Sequence, residues 1–178
     1  MKKAEMKEFV YSAIKTKGLC RMLFKYASCA FQYFPLQMSD KLFLAAKLDD
    51  FIIDGFSIRR FCDLTVVQLY EDKRNEIIKA EGILDDVAAP EMDITDWYSA
   101  LLSLQKAEKN IIIEHESLID DEEEFAIGRV EKVLKNKVLF KHFDADGVWQ
   151  EELLEIPFSQ ITSITLGSRY VEIFSKYV

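Results

Sequence analysis

This sequence contains few of the residues that usually interrupt helices and strands or form disulfide bonds. Its 178 residues include only 3 prolines, 6 glycines and 3 cysteines. With so little Gly and Pro, most turns have to be made by Asp, Asn, Ser and Lys. The cysteines Cys20, Cys29 and Cys62 are odd in number and form no CxxC pair. They therefore predict small core residues in a reducing compartment rather than a disulfide framework or a metal site.

Long apolar runs are also missing. No uninterrupted stretch approaches the roughly 18 residues that a membrane-spanning helix needs. Residues 1–18 carry charges among their apolar positions, unlike a secretory signal peptide. We therefore expect a cytoplasmic protein that does not bind membranes.

Positive charge is in the minority. The chain has 23 Lys and Arg against 31 Asp and Glu, which gives a formal net charge of −8. Nucleic-acid-binding proteins usually neutralise phosphates with a basic face, so this charge disfavours RNA and suits a basic protein partner. Hydrophobic residues make up 49% of the chain, which is ample for a packed core.

The apolar pattern of the first half predicts a helix followed by five strands. One helical stripe is formed by Met6, Phe9, Val10, Ala13 and Ile14. Gly18 stands where a left-handed cap would end that helix. Strand-like runs then continue to about residue 70. The pattern is lost from about residue 71 to residue 92. We predict a short helix or extended piece there, followed by a linker, with the linker at 77–92 between domains at 1–76 and 93–178.

The second half repeats this order. Asp93 is a plausible N-cap for a helix whose apolar stripe is Ile94, Trp97, Tyr98 and Leu101. Asn110 follows this helix much as Gly18 follows the first. Five more strand-like runs lie between residues 111 and 166, with a turn signal at residues 144–147.

Short matches between the halves indicate an internal repeat. Tyr-Ser-Ala occurs at 11–13 and at 98–100, and Asp-Gly occurs at 54–55 and at 146–147. The ends of the halves align best, by pairing Ile58 with Ile156, Phe61 with Phe158, Leu64 with Ile161 and Val67 with Ile164. The apolar spacing at 61–64 and 158–161 suits a single tight turn before each last strand. Order, spacing and caps agree together, which favours a repeat over chance.

The second half resembles the Sm-like barrels. The pattern Phe125-x-Ile127-Gly128-x-Val130-x-x-Val133 is similar to their first signature, with a glycine on a sharply bent second strand. Residues 146–177 are similar to segments of uncharacterised bacterial proteins that carry two such barrels in tandem. In the first half the resemblance is looser, and Phe34 takes the place of Gly128. The resemblance implies a mainly β (α+β) fold, a tandem repeat of an N-terminal helix followed by a five-stranded Sm-like antiparallel barrel.

Three residues are candidates for an interaction site. The resemblance implies a base-binding Asp and Asn in the loop after the second strand, and residues 134–137 keep Asn136 but lack the Asp. Arg169 and Tyr170 follow the last strand, and a guanidinium beside a ring suits stacked bases or a protein hot spot. The alternative for this pair is a solvated Arg next to a core Tyr. Further basic candidates are the pairs at 59–60 and 73–74.

Catalytic and metal chemistry have little support in the sequence. His142 stands near Asp144 and Asp146, but a metal site needs three or four converging ligands, and a His before a hairpin turn explains the pattern. The acidic run at 120–124 could hold a cation or face a basic partner, and it equally suits a solvated loop. No phosphate-binding loop and no nucleophile–base pair is present. We expect no catalytic, metal or cofactor-binding residues, and no enzyme.

These observations leave three functional hypotheses. The first is a non-enzymatic binding or scaffold protein whose partner is a protein, in particular a basic one that it neutralises. The alternative is an Sm-like RNA-binding protein, which the resemblance suggests and the charge opposes. An enzyme is the third, and no constellation of residues supports it.

Overall fold

The computed structural model of this chain describes residues 2–70, 72–119 and 124–178. Over these residues it contains four helices and ten strands, all of them paired in antiparallel fashion. The chain divides into two compact units, residues 1–91 and 92–178. We call them unit one and unit two.

Unit one begins with a helix, continues with five strands and ends with a second helix. Its elements are α1 (Lys3–Thr16), β1 (Cys20–Phe24), β2 (Phe31–Met38), β3 (Leu42–Asp49), β4 (Ile52–Arg60), β5 (Leu64–Leu69) and α2 (Lys73–Ala80). Helix α2 places Ile78 in a core cluster with Leu19 and Phe34. Helix α2 lies where the sequence favours a short helix or extended piece, and its last four residues fall within the linker expected at 77–92.

Unit two follows the same order of elements. They are α3 (Trp97–Ala107), β6 (Ile111–His115), β7 (Glu124–Val133), β8 (Lys137–Phe143), β9 (Leu154–Pro157), β10 (Ser163–Leu166) and α4 (Arg169–Phe174). Strand β9 begins only at Leu154; before it, Trp149 forms an isolated bridge with Phe143.

The strands of unit one lie in the order β5-β1-β2-β3-β4, and those of unit two in the order β10-β6-β7-β8-β9. In both units the first strand lies between the second and the last. Along β1, buried residues alternate with more exposed ones, as in a strand with one face in the core. Helix α1 covers this sheet with Met6, Val10 and Ala13, all of them buried.

Closed barrels were expected, and the strand pairing does not close them. Among the residues that the structure describes, no ladder joins β4 to β5 or β9 to β10. The chain makes one tight turn after Arg60 in unit one and after Pro157 in unit two. The strand that follows, β5 or β10, pairs with the first strand of its unit and not with the strand before the turn. In these turns the Asp63 amide donates to the Arg60 carbonyl at 3.3 Å, and the Gln160 amide to the Pro157 carbonyl at 3.0 Å.

Three expected helix caps are wrong by a few residues. Helix α3 is capped by Asp96, whose side chain accepts from the Ser99 amide, while the Asp93 carboxylate accepts from the amide and hydroxyl of Thr95. Left-handed residues end both long helices, at Lys17 (φ 51°) and at Glu108 (φ 53°) rather than at Gly18 and Asn110. Each helix ends before the residue that the pattern favoured.

Gly128 has the role that the sequence indicates. Its φ is 155°, and a Cβ atom built there would lie 2.0 Å from the Lys141 carbonyl oxygen and 2.7 Å from the His142 Cα. No side chain fits between β7 and β8 at this point, since real contacts of a Cβ are never so short. The glycine therefore permits the close approach of the two strands.

Helix α4 was not predicted. Ser168 caps it by accepting from the Val171 amide, and Val171 lies in a core cluster with Ile112, Ile127 and Phe143. With only six residues, the helix is shorter than the window of about 11–18 residues in which an apolar period can be recognised. The signal that could have revealed it is the spacing of Val171, Phe174 and Val178 after a capping serine.

Candidate functional site

The three predicted interaction residues do not form one site. Asn136 is exposed in the turn between β7 and β8, where its carbonyl accepts from the Phe158 amide at 3.0 Å. Arg169 and Tyr170 are exposed in the first turn of α4. The Tyr170 ring contacts Phe125 at the start of β7, whereas Asn136 lies beyond its end. About 25 Å of strand separates these points, at roughly 3.3 Å per residue.

Tyr170 belongs instead to a continuous row of aromatic rings. We call this set the aromatic row; it consists of Phe125, Tyr170, Phe174, Phe143 and Trp149. Successive ring centres lie 6.4, 5.7, 5.2 and 5.0 Å apart. Phe143 within this row is buried. The end that begins with Phe125 is open to solvent, because Phe125 is 55% exposed and Tyr170 is 54% exposed.

A groove of about 480 Å³ begins at Phe125. We call it the unit-two groove. Its apolar lining is Ile113, Phe125, Ala126, Leu154 and Ile156, and its polar lining is His115, Glu124, Glu155 and Gln160. Of the described residues that line it, none is a lysine or an arginine. Glu155 pairs with Lys137 on the neighbouring strand and keeps 61% of its side chain exposed.

The groove has an apolar floor and an acidic rim, supplied mainly by two strands. On β9, Leu154 and Ile156 flank Glu155, and on β7, Glu124 precedes Phe125 and Ala126. These two strands bring apolar side chains and carboxylates to the same opening. Such a surface can bind an apolar side chain that carries or neighbours a positive charge.

Unit one contains a different polar cluster, at the turn before β5. Asp63 is 2% exposed; its carboxylate accepts from Arg60 Nε and forms an ion pair with Lys25 Nζ at 2.9 Å. Burial by itself would raise the pKa of Asp63, but the hydrogen bonds from Arg60 and Lys25 outweigh it and hold the pKa below its usual value. Tyr26 completes the cluster by accepting from Arg60 at 3.3 Å.

Lys3 fastens α1 to this turn. Its ammonium group donates to the carbonyls of Phe61, Cys62 and Leu64, at 2.9, 2.9 and 2.5 Å. An ammonium has three donors, and all three are used here. The cluster around Asp63 thus holds the helix, the turn and the last strand of unit one together.

The basic pairs at 59–60 and 73–74 do not form an open basic surface. Arg59 is only 3% exposed, and Arg60 binds Asp63. Lys73 pairs with Glu76 at 2.8 Å, and Arg74 donates to Gln32 at 2.9 Å.

Arg59 is the residue whose environment the sequence did not reveal. Its guanidinium carbon lies 3.9 Å from the centre of the Phe24 ring and 5.2 Å from that of Phe31. The two rings are themselves in edge contact at 5.9 Å. The side chains of Arg59, Phe24 and Phe31 therefore form one stack, which we call the unit-one stack.

The acidic and histidine-containing motifs have structural roles where they can be described. Asp144 accepts from the amides of Asp146 and Val148, which makes residues 144–148 a turn. Within residues 2–70, 72–119 and 124–178, no three His, Cys, Asp or Glu side chains come together as a metal site would require. Four residues of the acidic run, 120–123, lie outside the described residues, and Glu124 lines the groove.

Over the same ranges, none of the helices is long and apolar enough to cross a bilayer. No protein-family model, curated protein or solved structure matches the chain.

Proposed function

We propose that this chain is a non-enzymatic protein-binding module, and that the unit-two groove receives an apolar and basic segment of its partner. The observation that carries the proposal is the composition of this opening. Exposed Phe125 and Tyr170 stand beside a groove whose rim has Glu124 and Glu155 and whose described lining has no cation. Aromatic side chains in such positions dominate the energy of protein interfaces.

The charge of the whole chain supports the same partner. A net charge of −8 attracts a basic protein over a long range and repels nucleic acid. Carboxylates at the rim then favour the correct orientation at short range, while the apolar floor supplies affinity.

We further propose that the two units are copies of one Sm-like fold in tandem. The pairing registers support this. Cys20 lies opposite Tyr33 and Leu69, and Ile111, also first in its strand, lies opposite Gly128 and Leu166. Turn hydrogen bonds recur as well: Phe61 donates to Lys41, and Phe158 donates to Asn136.

Under this proposal, the registers favour an alignment that differs from the sequence alignment at two pairs. Arg59 lies opposite Phe43, the second residue of β3, and Ile156 lies opposite Val138, the second residue of β8. Arg59 therefore corresponds to Ile156, and Ile58 corresponds to Glu155. By the same reasoning Tyr33, not Phe34, corresponds to Gly128.

RNA binding is the alternative function, and the strand order of the two units favours it. Against it stand the net charge and the distance between Asn136 and the Arg169–Tyr170 pair. A base-binding pocket built from all three residues would need them on one surface, and they lie at opposite ends of β7.

The test is to purify the tagged chain gently from its own host and identify what remains bound. We expect a stoichiometric basic protein. Its retention should fall strongly in a Glu124→Gln/Glu155→Gln variant and in Phe125→Ser. The matched control is Glu8→Gln/Glu91→Gln, which removes the same charge at exposed positions of unit one.

RNA that stays bound in moderate salt would overturn the proposal and make the alternative the better one. Equal loss of the partner in the groove variant and in the control would also contradict it, because net charge alone would then explain binding. Loss confined to the groove variants supports it.

A further inference from the structure

We infer that the unit-two groove binds an arginine side chain of the partner, in the place that Arg59 fills within unit one. This inference rests on the proposed function and names the side chain that the groove recognises. It follows from a comparison of what occupies the same position of the sheet in the two units.

In unit one, side chains of the unit itself occupy the position that corresponds to the groove. Phe31 lies opposite Met22, and its ring contacts Phe24. Arg59 covers both rings and is almost completely withdrawn from water. The attraction of a guanidinium to a ring face strengthens as water is excluded.

In unit two the corresponding residues are smaller. Ala126 lies opposite Ile113, so it corresponds to Phe31, which lies opposite Met22. Ile156 lies opposite Val138, so it corresponds to Arg59, which lies opposite Phe43. His115 ends β6 as Phe24 ends β1. Three large side chains of unit one are thus replaced by alanine, isoleucine and histidine, and all three replacements line the groove.

The replacements also add charge of the required sign. Ile58 of unit one is buried, whereas Glu155 at the corresponding position of unit two is exposed at the groove. Glu124 is a second carboxylate at the same opening. A guanidinium that entered would meet the Glu124 carboxylate and the Phe125 ring, and it would share the Glu155 carboxylate with Lys137.

These groups favour arginine over lysine. The guanidinium is planar, so it stacks on a ring, and its donors match a carboxylate in pairs. An ammonium group can pair with a carboxylate, but it has no planar face that could stack on a ring. The same site should therefore distinguish the two basic side chains.

The experiment titrates the full chain with three short acetylated peptides of sequence Phe-X-Gly, where X is arginine, lysine or citrulline. Methyl NMR signals of Ile113, Ala126 and Ile156 report binding in the groove. We expect these signals to shift with the arginine peptide. Affinity should fall about tenfold for citrulline, which keeps the shape and loses the charge, and should be intermediate for lysine.

Two variants locate the effect. Ile156→Arg should fill the groove from within, as Arg59 does, and abolish the shifts, whereas Ile156→Met should preserve them. Glu155→Gln removes a charge at an exposed position, together with the ion pair to Lys137, so it tests the inference even if Ile156→Arg does not fold. It should weaken the arginine peptide and leave the citrulline peptide unchanged.

Absence of shifts with the arginine peptide, or equal affinity for arginine and citrulline, would overturn the inference. Release of the host partner by the variants distinguishes the proposed function from the arginine site. If Phe125→Ser releases it and a folded Ile156→Arg does not, protein binding stands and the arginine site falls. If neither variant releases it, both proposals fail.

Discussion

The guanidinium of Arg59 lies 3.9 Å from the centre of the Phe24 ring, and only 3% of Arg59 is exposed. An arginine so placed has exchanged water for aromatic faces. Its long aliphatic stem also fills volume in the sheet, so its removal has both an electrostatic and a packing consequence.

Arg59→Ala should lower the free energy of unfolding by about 3 kcal/mol, because a cavity replaces the stacked side chain. Arg59→Met keeps most of the volume and should lower it by about 1 kcal/mol. Urea denaturation gives both values. Low concentrations of ethylguanidinium should raise the melting temperature of Arg59→Ala and not that of the wild type. Identical responses of the two proteins would argue against a specific stack.

Asp63→Asn should destabilise the chain by about 3 kcal/mol at neutral pH, because Arg60 and Lys25 lose their buried counter-charge. The pKa of Asp63 is lowered in the folded chain, so the ionised carboxylate contributes fully above its ordinary pKa of about 3.9. That contribution is lost as the pH falls through the lower, folded pKa. Melting temperatures of the wild type and the variant should therefore converge below about pH 4. A constant difference would contradict this account.

The three cysteines should react with a thiol reagent in a fixed order. Burial raises the pKa of Cys20 to about 12, so it should react only after unfolding. Cys62 is exposed, but partial burial and the nearby Asp63 charge raise its pKa, which should slow it relative to the exposed Cys29. Mass spectrometry of timed samples gives the order. Early labelling of Cys20 in the native protein would be inconsistent with its burial.

Gly128→Ala should be among the most damaging single substitutions, with a loss of at least about 3 kcal/mol in stability. The new methyl group would meet the backbone of Lys141 and His142, which cannot move aside as a flexible side chain does. Gly18→Ala is the comparison, since its nearest neighbours are side-chain atoms of Leu69 and Thr16 at 3.0 and 3.1 Å. Chemical denaturation should show a clearly smaller loss for Gly18→Ala.

Much of the fold follows from local sequence patterns. Alternation predicts most of the ten strands, and the stripes that begin at Met6 and Ile94 predict the two long helices, because core-facing residues repeat at the period of each element. Helix α4 escapes this reasoning since six residues give too little periodicity. Closure of the sheets was wrongly expected, because β5 pairs with β1 after the tight turn and no ladder joins β5 to β4 among the described residues.

The candidate site was harder to predict for a physical reason. Arginines are mostly exposed, so nothing local marks Arg59 as buried. The groove likewise depends on Ala126, Ile156 and His115, which come from three different strands. The sequence does identify Phe125 and Tyr170 separately; only the folded chain brings their rings within 6.4 Å of each other.

The position of β1 in unit one affects when this unit can fold on the ribosome. Strand β1 pairs with β5, and the contacts of Lys3 with Phe61, Cys62 and Leu64 span about sixty residues of chain. Closing so long a loop is entropically unfavourable and slow. The first strand therefore has to wait, unpaired on one side, until Leu69 has left the exit tunnel, and slow translation between residues 24 and 64 would prolong the exposure of its edge.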